Sequence, residues 1–352
     1  MAKKVTMQLI AEAAGVSKFV VSKTLNGKPG VSEATRKKIL FTAKQLGYTK
    51  SRESMEEEQT EKDLREGYVL VVLPSPKYQN KNFDYWGVIF QGISDELYEK
   101  ETGIVVVSSQ NRFSSQINTE GLLGIITVGH IKNETLLELT EYPVPIIMVD
   151  HEDTLIQADS IFMDNQDGIL KMTNYLIGLG HRRLVFVGDI HHSPSFYERW
   201  QGFRQAMEKS DPTFDSKKSL VQITYDNRFK TTFKEEVEEW LRLQEELPTG
   251  FVCANDQIAS SLMDFLQKRG ILVPEDCSVT GFDNLGHDLE PSLSSVQVLK
   301  EVFGKRAVDK LMWRLEHEDF PPEKVLISGE MIIRDSVASP KQATNPEKAP
   351  LP

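Results

Sequence analysis

Apolar residues at a helical spacing predict three short helices within residues 5–48. Thr6, Ser17 and Ser32 stand just before the three segments, where a hydroxyl side chain can cap a helix. The residues predicted to face inward are Ile10, Ala11, Ala14, Val21, Leu25, Ile39, Leu40, Ala43 and Leu46. Because the first two helices are joined by a short turn that contains Gly15, the pattern predicts a helix-turn-helix unit.

Beyond residue 67 the pattern changes to short continuous apolar runs separated by amphipathic segments. The runs lie at 68–73, 104–107, 124–128 and 145–150, then at 184–188, 251–255 and 278–282, with two final runs at 325–328 and 331–334. Such runs predict strands buried on both faces, and the intervening helices predict parallel sheets. We therefore expect an α/β body with two doubly wound parallel sheets, one in each of two lobes, and a ligand cleft between the lobes.

The distribution of charge separates the same two parts of the chain. The net charge of the 352 residues is −11, but residues 1–52 hold eleven Lys and Arg against two Asp and Glu, a net of +9. The other 300 residues therefore carry −20. A basic N-terminal module on an acidic body is the pattern expected of a tethered DNA reader, whose phosphate contacts are confined to that module.

The second predicted helix leaves Lys18, Phe19, Ser22, Lys23 and Asn26 on its exposed side. Lysine can donate to guanine acceptors, phenylalanine can pack on a thymine methyl group, and serine or asparagine can reach phosphates or base edges. A solvated basic face on a small helical bundle is the alternative that spacing alone leaves open.

The segments AEAAGVS, VSKTLNG, VSEATRKKI and LGY resemble the DNA-binding headpiece of the LacI (lactose-repressor) family over the whole of residues 5–48. This resemblance implies that Lys18, Phe19 and Lys23 read bases. It also implies phosphate contacts, and the positions concerned are Thr6, Ser17, Ser22, Asn26, Val31 and Ser32. One departure is Leu9, which stands where the family usually has an acidic residue.

The resemblance continues in the body, where LGHRRLVFVG, ERWQGF, CANDQIAS and VPEDCSVTGFDN are similar to the periplasmic-binding-protein-like domain of the same family. It implies a headpiece at 1–49, a linker at 50–66 and a bilobed domain at 67–338. The chain of that fold crosses between lobes three times, and we place the crossings near 163, 295 and 322. The N-lobe then comprises about 67–163 and 296–322, and the C-lobe about 164–295 and 323–338. Residues 339–352 contain three prolines and are predicted to form a disordered tail.

Two segments depart from the family pattern. Family members have a short hinge helix in the linker, but residues 53–66 hold seven acids and two bases here, which phosphates would repel. The linker could therefore be a solvated helix or disordered. Only sixteen residues, 108–123, separate two predicted strands, so a helix that commonly joins the dimer interface is expected to be short or lost.

Four polar residues stand near the ends of predicted strands, where open parallel sheets bind ligands. By the resemblance, Asp150, Arg199, Asn255 and Asp283 occupy effector-binding positions, and Tyr85 and Phe83 lie in a loop that faces the cleft. Carboxylates, amides and guanidinium groups suit a sugar. The alternative is that Asp and Asn cap helices at these turns, which is our expectation for Asp256. Phe196, Tyr225 and the pair His191–His192 are weaker candidates, for which packing or a solvated loop is the simpler interpretation.

Other classes of function find little support. The chain has no GxGxxG, P-loop, GxSxG or HExxH motif, and Cys253 and Cys277 lack the spacing of a metal site, so we expect no enzyme, cofactor or metal. The N-terminus has no apolar signal region, and a cytoplasmic location is expected. We predict a homodimeric transcriptional regulator that binds near-palindromic operator DNA under the control of a small sugar or sugar derivative. Repression is favoured over activation. A ligand-dependent activator and a cytoplasmic sugar-binding or sugar-processing protein, with Asp150 and Asp283 as an acid and base, are the alternatives.

Overall fold

The computed structural model describes residues 5–25, 30–46, 48, 67–74, 83–109, 117–285 and 289–341, with the backbone alone at 83–84. The chain divides into two compact units, residues 1–66 and 67–352. The linker at 50–66 lies outside the described residues, as do residues 110–116 of the shortened segment 108–123. What was predicted for the linker and for residues 110–116 therefore stays a prediction.

The first unit contains helices α1 (Met7–Ala14), α2 (Lys18–Leu25) and α3 (Glu33–Gln45). The predicted caps form: the backbone N–H of Leu9 donates to Thr6 Oγ1 at 3.4 Å, and those of Val20 and Thr35 donate to Ser17 Oγ and Ser32 Oγ, each at 3.3 Å. Gly15 adopts a φ of 66°, a left-handed conformation that glycine reaches without strain, and so ends α1 and turns the chain into α2.

A small core holds the three helices together. Its buried members are Ile10, Ala11, Ala14, Val21, Ile39 and Ala43, with Leu25 and Leu46 packed at its edge. The prediction for Leu40 is wrong, because this side chain is 47% exposed. Its neighbour Ile39 takes the inward position, and the 100° rotation between successive helical residues turns Leu40 away.

The second unit alternates strands and helices. Its helices are α4 (Phe83–Glu99), α5 (Asn133–Leu139), α6 (Asn165–Gly178), α7 (Pro194–Ser210), α8 (Phe229–Arg242), α9 (Asp256–Gln267) and α10 (Lys300–Glu316). Its strands are β1 (Tyr68–Leu73), β2 (Gly103–Ser108), β3 (Leu122–Val128), β4 (Ile146–Val149), β5 (Asp159–Met163), β6 (Leu184–Gly188), β7 (Leu220–Gln222), β8 (Gly250–Cys253), β9 (Ser278–Asp283), β10 (Ser294–Gln297), β11 (Lys324–Ile327) and β12 (Glu330–Ile332).

The strands form two six-stranded sheets, as the two series of apolar runs predicted. The first sheet has the order β11-β5-β4-β3-β1-β2, and the second has the order β12-β10-β9-β8-β6-β7. The pairings of the described strands are parallel except that of β12 with β10. Strands β3, β6 and β8 are buried along nearly their whole length because helices cover both faces of each sheet.

The chain passes between the sheets three times. The first passage follows Met163, as predicted, and the second follows Gln297, slightly later than the predicted position near 295. The third was predicted too early. Strand β11 pairs in parallel with β5 of the first sheet, so residues 324–327 belong to the first lobe and the chain crosses only between Ile327 and Glu330.

A glycine allows a close helix–helix contact in each lobe. A Cβ atom at Gly92 of α4 would lie 2.2 Å from the carbonyl oxygen of Glu301 in α10, and one at Gly304 would lie 2.1 Å from that of Ile89. In the second lobe, a Cβ atom at Gly202 of α7 would lie 2.2 Å from the carbonyl oxygen of Gln166 in α6. Each lobe therefore has its own helix crossing in which the two backbones are in direct contact.

The C-terminal segment is held further than predicted. His181 lies within hydrogen-bonding distance of the carbonyl oxygen of Ala338 at 2.9 Å, and Lys341 forms an ion pair with Asp276 at 2.7 Å. Residues 339–341 therefore contact the second lobe, contrary to their assignment to the disordered tail. Residues 342–352 lie outside the described part of the chain.

Candidate functional sites

Side chains from both lobes meet at the carboxyl ends of the two sheets. Asp150 follows β4 of the first lobe, whereas Asp283 ends β9 and Asn255 precedes α9 in the second. Asp150 and Asp283 have φ values of 59° and 102°, unusual for residues other than glycine. Such strained backbone is often found where a side chain is aimed at a ligand.

Arg199 is the central cation of this cleft and is only 5% exposed. Its Nε donates to Asn165 Oδ1 at 2.9 Å, its Nη1 to the carbonyl oxygen of Ala254 at 2.7 Å, and its Nη2 to Asp283 Oδ1 at 3.3 Å. The guanidinium carbon lies 3.8 Å from the centroid of the Phe282 ring, a stacking contact that supports the charge from one face. The position of Arg199 is therefore fixed on every side by the second lobe.

Both cleft carboxyls hold their protons more tightly than usual. Burial raises the pKa of Asp150 from 3.8 to about 6, against a hydrogen bond from Trp86 Nε1 at 3.4 Å and the charge of Arg199, which lower it. Burial also raises the pKa of Asp283, while Arg199 and Lys300 lower it. The charge of Asp283 raises the pKa of Asp150 further, so the two carboxylates repel each other across the cleft.

An aromatic wall accompanies the polar groups. The Tyr85 ring lies 5.2 Å from Lys300 Nζ, and burial together with Asp150 and Asp283 raises the pKa of Tyr85. In the second lobe the rings of His192, Phe196 and Tyr225 lie 4.9–5.2 Å apart, and burial lowers the pKa of His192. Aromatic faces of this kind can pack on the apolar face of a sugar ring.

Asn255 has two roles at the same place. Its Oδ1 accepts from the N–H of Ile258 at 2.9 Å and caps α9, as the structural alternative predicted. Its Nδ2 donates to the Tyr225 hydroxyl at 2.8 Å, and that hydroxyl donates to Gln257 Oε1 at 2.7 Å. The cap therefore also positions the tyrosine of the aromatic wall.

Of the six predicted effector residues, the structure brings together Asp150, Arg199, Asn255, Asp283 and Tyr85. Phe83 is the first residue of α4, and its side chain lies outside the described part. Asp256 has a structural role, because it accepts from Ser295 Oγ at 2.6 Å and from the N–H of Leu285 at 2.8 Å.

Sequence reasoning missed Trp86, Asn165 and Lys300 as members of the cleft. Trp86 lies at the helical spacing of the apolar residues of α4, so spacing alone could not distinguish it from a core residue. Asn165 and Lys300 begin helices directly after two of the three lobe crossings, at Met163 and after Gln297. That position is the one feature that could have identified them.

Helix α2 carries the three predicted base-reading residues, of which Lys18 and Phe19 are exposed and Lys23 is half-buried. Phe19 is 73% exposed, and Lys23 Nζ lies 5.9 Å from the Phe19 ring. Thr6, Ser17 and Ser32 use their oxygens as helix caps, which leaves the hydroxyl hydrogens of Thr6 and Ser17 available to a phosphate. The Ser32 hydroxyl also forms a hydrogen bond with the Thr35 hydroxyl at 2.7 Å, in which either group can donate. Ser22 is half-buried on α2 and Val31 is half-buried before α3. Asn26 lies outside the described residues.

The structure gives no sign of a metal centre or a membrane span in the part of the chain that it describes. No three His, Cys, Asp or Glu side chains are grouped there so as to hold an ion. None of the helices in the same residues has the length and apolar character needed to cross a bilayer.

Comparison with known protein families agrees with both units. Residues 6–51 match the family described as "Bacterial regulatory proteins, lacI family", and residues 173–337 match "Periplasmic binding protein-like domain". The chain carries a LacI-family DNA-binding domain and a periplasmic-binding-protein-like domain. The helix-turn-helix fold and the bilobed α/β body predicted from sequence are confirmed by this match and by the solved structures below.

The similarity extends over nearly the whole chain. The HTH-type transcriptional repressor PurR of Vibrio vulnificus (strain CMCP6) is 25% identical over 342 residues, which cover 94% of this chain and 98% of that protein. A transcriptional regulator CelR–cellobiose complex is 23% identical with a TM-score of 0.61, covering 94% of this chain and 99% of that one. The lac repressor dimer bound to operator and the anti-inducer ONPF is 20% identical with a TM-score of 0.59, covering 96% and 100%. At these identities the two structures show the shared fold.

Proposed function

We propose that this chain is a homodimeric LacI-family repressor that binds a near-palindromic operator and whose affinity for DNA is set by a small sugar-like effector in the cleft. The observation that carries the proposal is the meeting of Asp150 with Arg199, Asn255 and Asp283 between two lobes of a chain that also has an exposed, basic α2. Related proteins described as a repressor, as a cellobiose complex and as an operator-bound dimer support it.

We further propose how the chain is divided. Residues 1–49 are the headpiece and 50–66 the linker, and the lobes comprise 67–163 with 298–327 and 164–297 with 329–341. These boundaries follow the sheet in which each strand pairs. The protein acts in the cytoplasm, where its DNA target lies, and it is a binding protein without enzymatic activity.

The proposed mechanism is a change in the angle between the lobes. A ligand can shift this angle only if it binds one arrangement more tightly than the other. Because Asp150 belongs to the first lobe and Arg199 to the second, an effector held by both would favour one arrangement. The dimer presents two headpieces to the two halves of the operator, and the lobe arrangement sets how well both are accommodated.

The test begins with selection of duplexes by the full-length protein from a random pool. We expect enrichment of a near-palindrome, and Lys23→Ala should weaken its binding by about 1–3 kcal/mol and relax selection at one position of each half-site. Lys305→Ala, which removes an exposed lysine from the body, is the matched control and should leave binding unchanged. Failure to enrich any duplex would contradict the proposal. A variant profile identical to that of the wild type would remove Lys23 from base reading.

A further inference from the structure

The walls of the cleft carry opposed carboxylates, and this feature deepens the proposed function, on which the inference rests. Asp150 comes from the first lobe and Asp283 from the second. They lie close enough that the charge of Asp283 raises the pKa of Asp150 and that both charges raise the pKa of Tyr85. Among the described residues, the one hydrogen bond to the Asp150 carboxylate is the 3.4 Å contact from Trp86. The single ion pair of Asp283 in that part of the chain is with Arg199. Each carboxylate therefore keeps acceptor capacity for a ligand.

The two cations that the structure describes in the cleft, Arg199 and Lys300, are already engaged. Arg199 donates one N–H to Asn165 and one to the carbonyl oxygen of Ala254, and its charge is paired with Asp283. Lys300 Nζ lies 3.4 Å from the carbonyl oxygen of Asp283 and faces the Tyr85 ring. Each of these two cations therefore already contacts a negatively charged or electron-rich group of the protein.

Further acidic groups surround this pair. Glu198 accepts from Asn165 Nδ2 at 2.9 Å, and its charge raises the pKa of Asp150. Asp189 accepts from the N–H of Tyr225 at 3.2 Å, just below the aromatic wall. His192 on that wall is a weaker base than usual because of burial. Counted over the described residues, the cleft therefore has four carboxylates against two fixed cations.

We propose that this cleft selects its effector by charge: it takes a neutral or amino sugar whose donors bridge Asp150 and Asp283, and it rejects sugar acids and sugar phosphates. Hydroxyl or ammonium groups of the ligand satisfy acceptors on both lobes at once and relieve the repulsion between them. A carboxylate or phosphate in the same place is buried beside two like charges, which is strongly unfavourable at low dielectric. Bridging also gives the ligand its preference for one lobe arrangement.

The experiment uses the full-length protein and sets of sugars that differ only in charge. Glucose, glucosamine and glucuronate form one set, the galactose and mannose series form two more, and ribose is compared with ribose 5-phosphate. Binding is measured by thermal shift at pH 7.5 and quantified by calorimetry. We expect a neutral or amino member of at least one set to bind, and its acidic counterpart to bind roughly a hundredfold more weakly or not at all.

Two variants connect this selectivity to the carboxylates. Asp150→Asn and Asp283→Asn keep the size of the side chain and remove the charge, so each should weaken binding of the neutral sugar and narrow the gap to its acid by about tenfold. Asp319→Asn removes an exposed carboxylate from the first lobe and should change neither value. Near-ultraviolet circular dichroism confirms that each variant is folded.

Three results would overturn the inference: a sugar acid or phosphate that binds more tightly than its neutral counterpart, an undiminished gap in both cleft variants, or no binding by any neutral or amino sugar of the sets. Failure of the proposed function has a different signature. A sugar acid that binds and alters the affinity for the operator would support the proposed repressor and refute selection by charge. A neutral sugar that binds without changing the affinity for DNA would support selection by charge and refute the proposed ligand-controlled repressor.

Discussion

The guanidinium of Arg199 and the carboxylate of Asp283 form a buried ion pair, with Nη2 3.3 Å from Oδ1 and side chains that are 6% and 13% exposed. Arg199 lies on α7 and Asp283 ends β9, so the pair joins a helix to the sheet beneath it. The residues proposed to bind the effector thus also stabilise the lobe that carries them.

Replacing Arg199 with alanine should therefore affect both stability and ligand response. It leaves Asp283 buried without its partner, which costs about 3–5 kcal/mol in the free energy of unfolding. Chemical denaturation measures this loss, and operator binding with and without effector measures the response, which should disappear. Arg204→Ala is the matched control, because Arg204 lies on the same helix but pairs with the exposed Glu208.

A second substitution separates the two effects. Adding Asp283→Asn to Arg199→Ala removes the unpaired charge, so part of the lost stability should return while the response stays absent. If Arg199→Ala is as stable as the Arg204→Ala control, the buried pair contributes far less than its geometry indicates.

The raised pKa of Asp150 predicts a pH-dependent stability. A carboxyl whose pKa is higher in the folded protein stabilises it fully below the unfolded value, and this contribution is lost as the pH rises through about 6. At about 1.4 kcal/mol per pH unit, the difference between 3.8 and about 6 corresponds to at most about 3 kcal/mol. Asp150→Asn should thus be more stable than the wild type at pH 8, and the two should converge near pH 4.

Denaturation curves at several pH values test this expectation, with Asp319→Asn as the control that should follow the wild type throughout. An Asp150→Asn variant that is less stable at pH 8 would show that the ionised carboxylate stabilises the fold. The affinity for a neutral sugar should also fall as the pH decreases through about 6, because protonated Asp150 loses an acceptor.

The helix crossing of the first lobe predicts opposite effects for two glycines of α4. Gly92→Ala places a methyl group 2.2 Å from the carbonyl oxygen of Glu301, and backbone must move to accept it. Gly87→Ala meets no atom within 4 Å. We expect the first to lower the free energy of unfolding by about 1–3 kcal/mol and the second to raise it by about 0.5–1 kcal/mol. Denaturant unfolding of both variants makes the comparison, and equal effects would contradict the close crossing.

A second buried ion pair joins helix α10 to strand β5 of the first sheet. Arg314 of α10 donates to both oxygens of Asp159 at 2.7 and 2.8 Å, and Lys310 Nζ lies 3.5 Å from the same carboxylate. Arg314→Met should cost about 3–5 kcal/mol, because it leaves the charge of Asp159 short of a partner. Combining it with Asp159→Asn should recover part of this loss in denaturation experiments. A double variant less stable than Arg314→Met would contradict this account.

The local sequence determined much of this protein. Hydroxyl residues before apolar stripes placed the caps at Thr6, Ser17 and Ser32, since a cap depends only on the next three residues. The long apolar runs at β1, β3, β6 and β9 predicted two parallel sheets, because a strand buried on both faces has no polar positions. The polar residues at the ends of these runs, Asp150 and Asp283 among them, could be anticipated for the same reason.

Short elements escaped prediction. Strand β7 has three residues and β10 has four, too few for any period to appear, and their places are set by pairing with β6 and β9. Strand β11 was recognised but assigned to the wrong lobe. Its pattern does not reveal whether its edge will pair with β5 or with β10, since pairing is a contact between segments far apart in the chain.

What the sequence determined by itself is the helix-turn-helix unit, the two α/β lobes, and a basic reader joined to an acidic body, because caps, periodicity and charge are properties of neighbouring residues. Only the tertiary structure decided that Arg199 spends its donors on Asn165, Ala254 and Asp283, and that Trp86 and Lys300 face the cleft. The contacts of Arg199 alone join residues as far as 84 positions apart. They depend on how the sheets and helices pack, which no local pattern encodes.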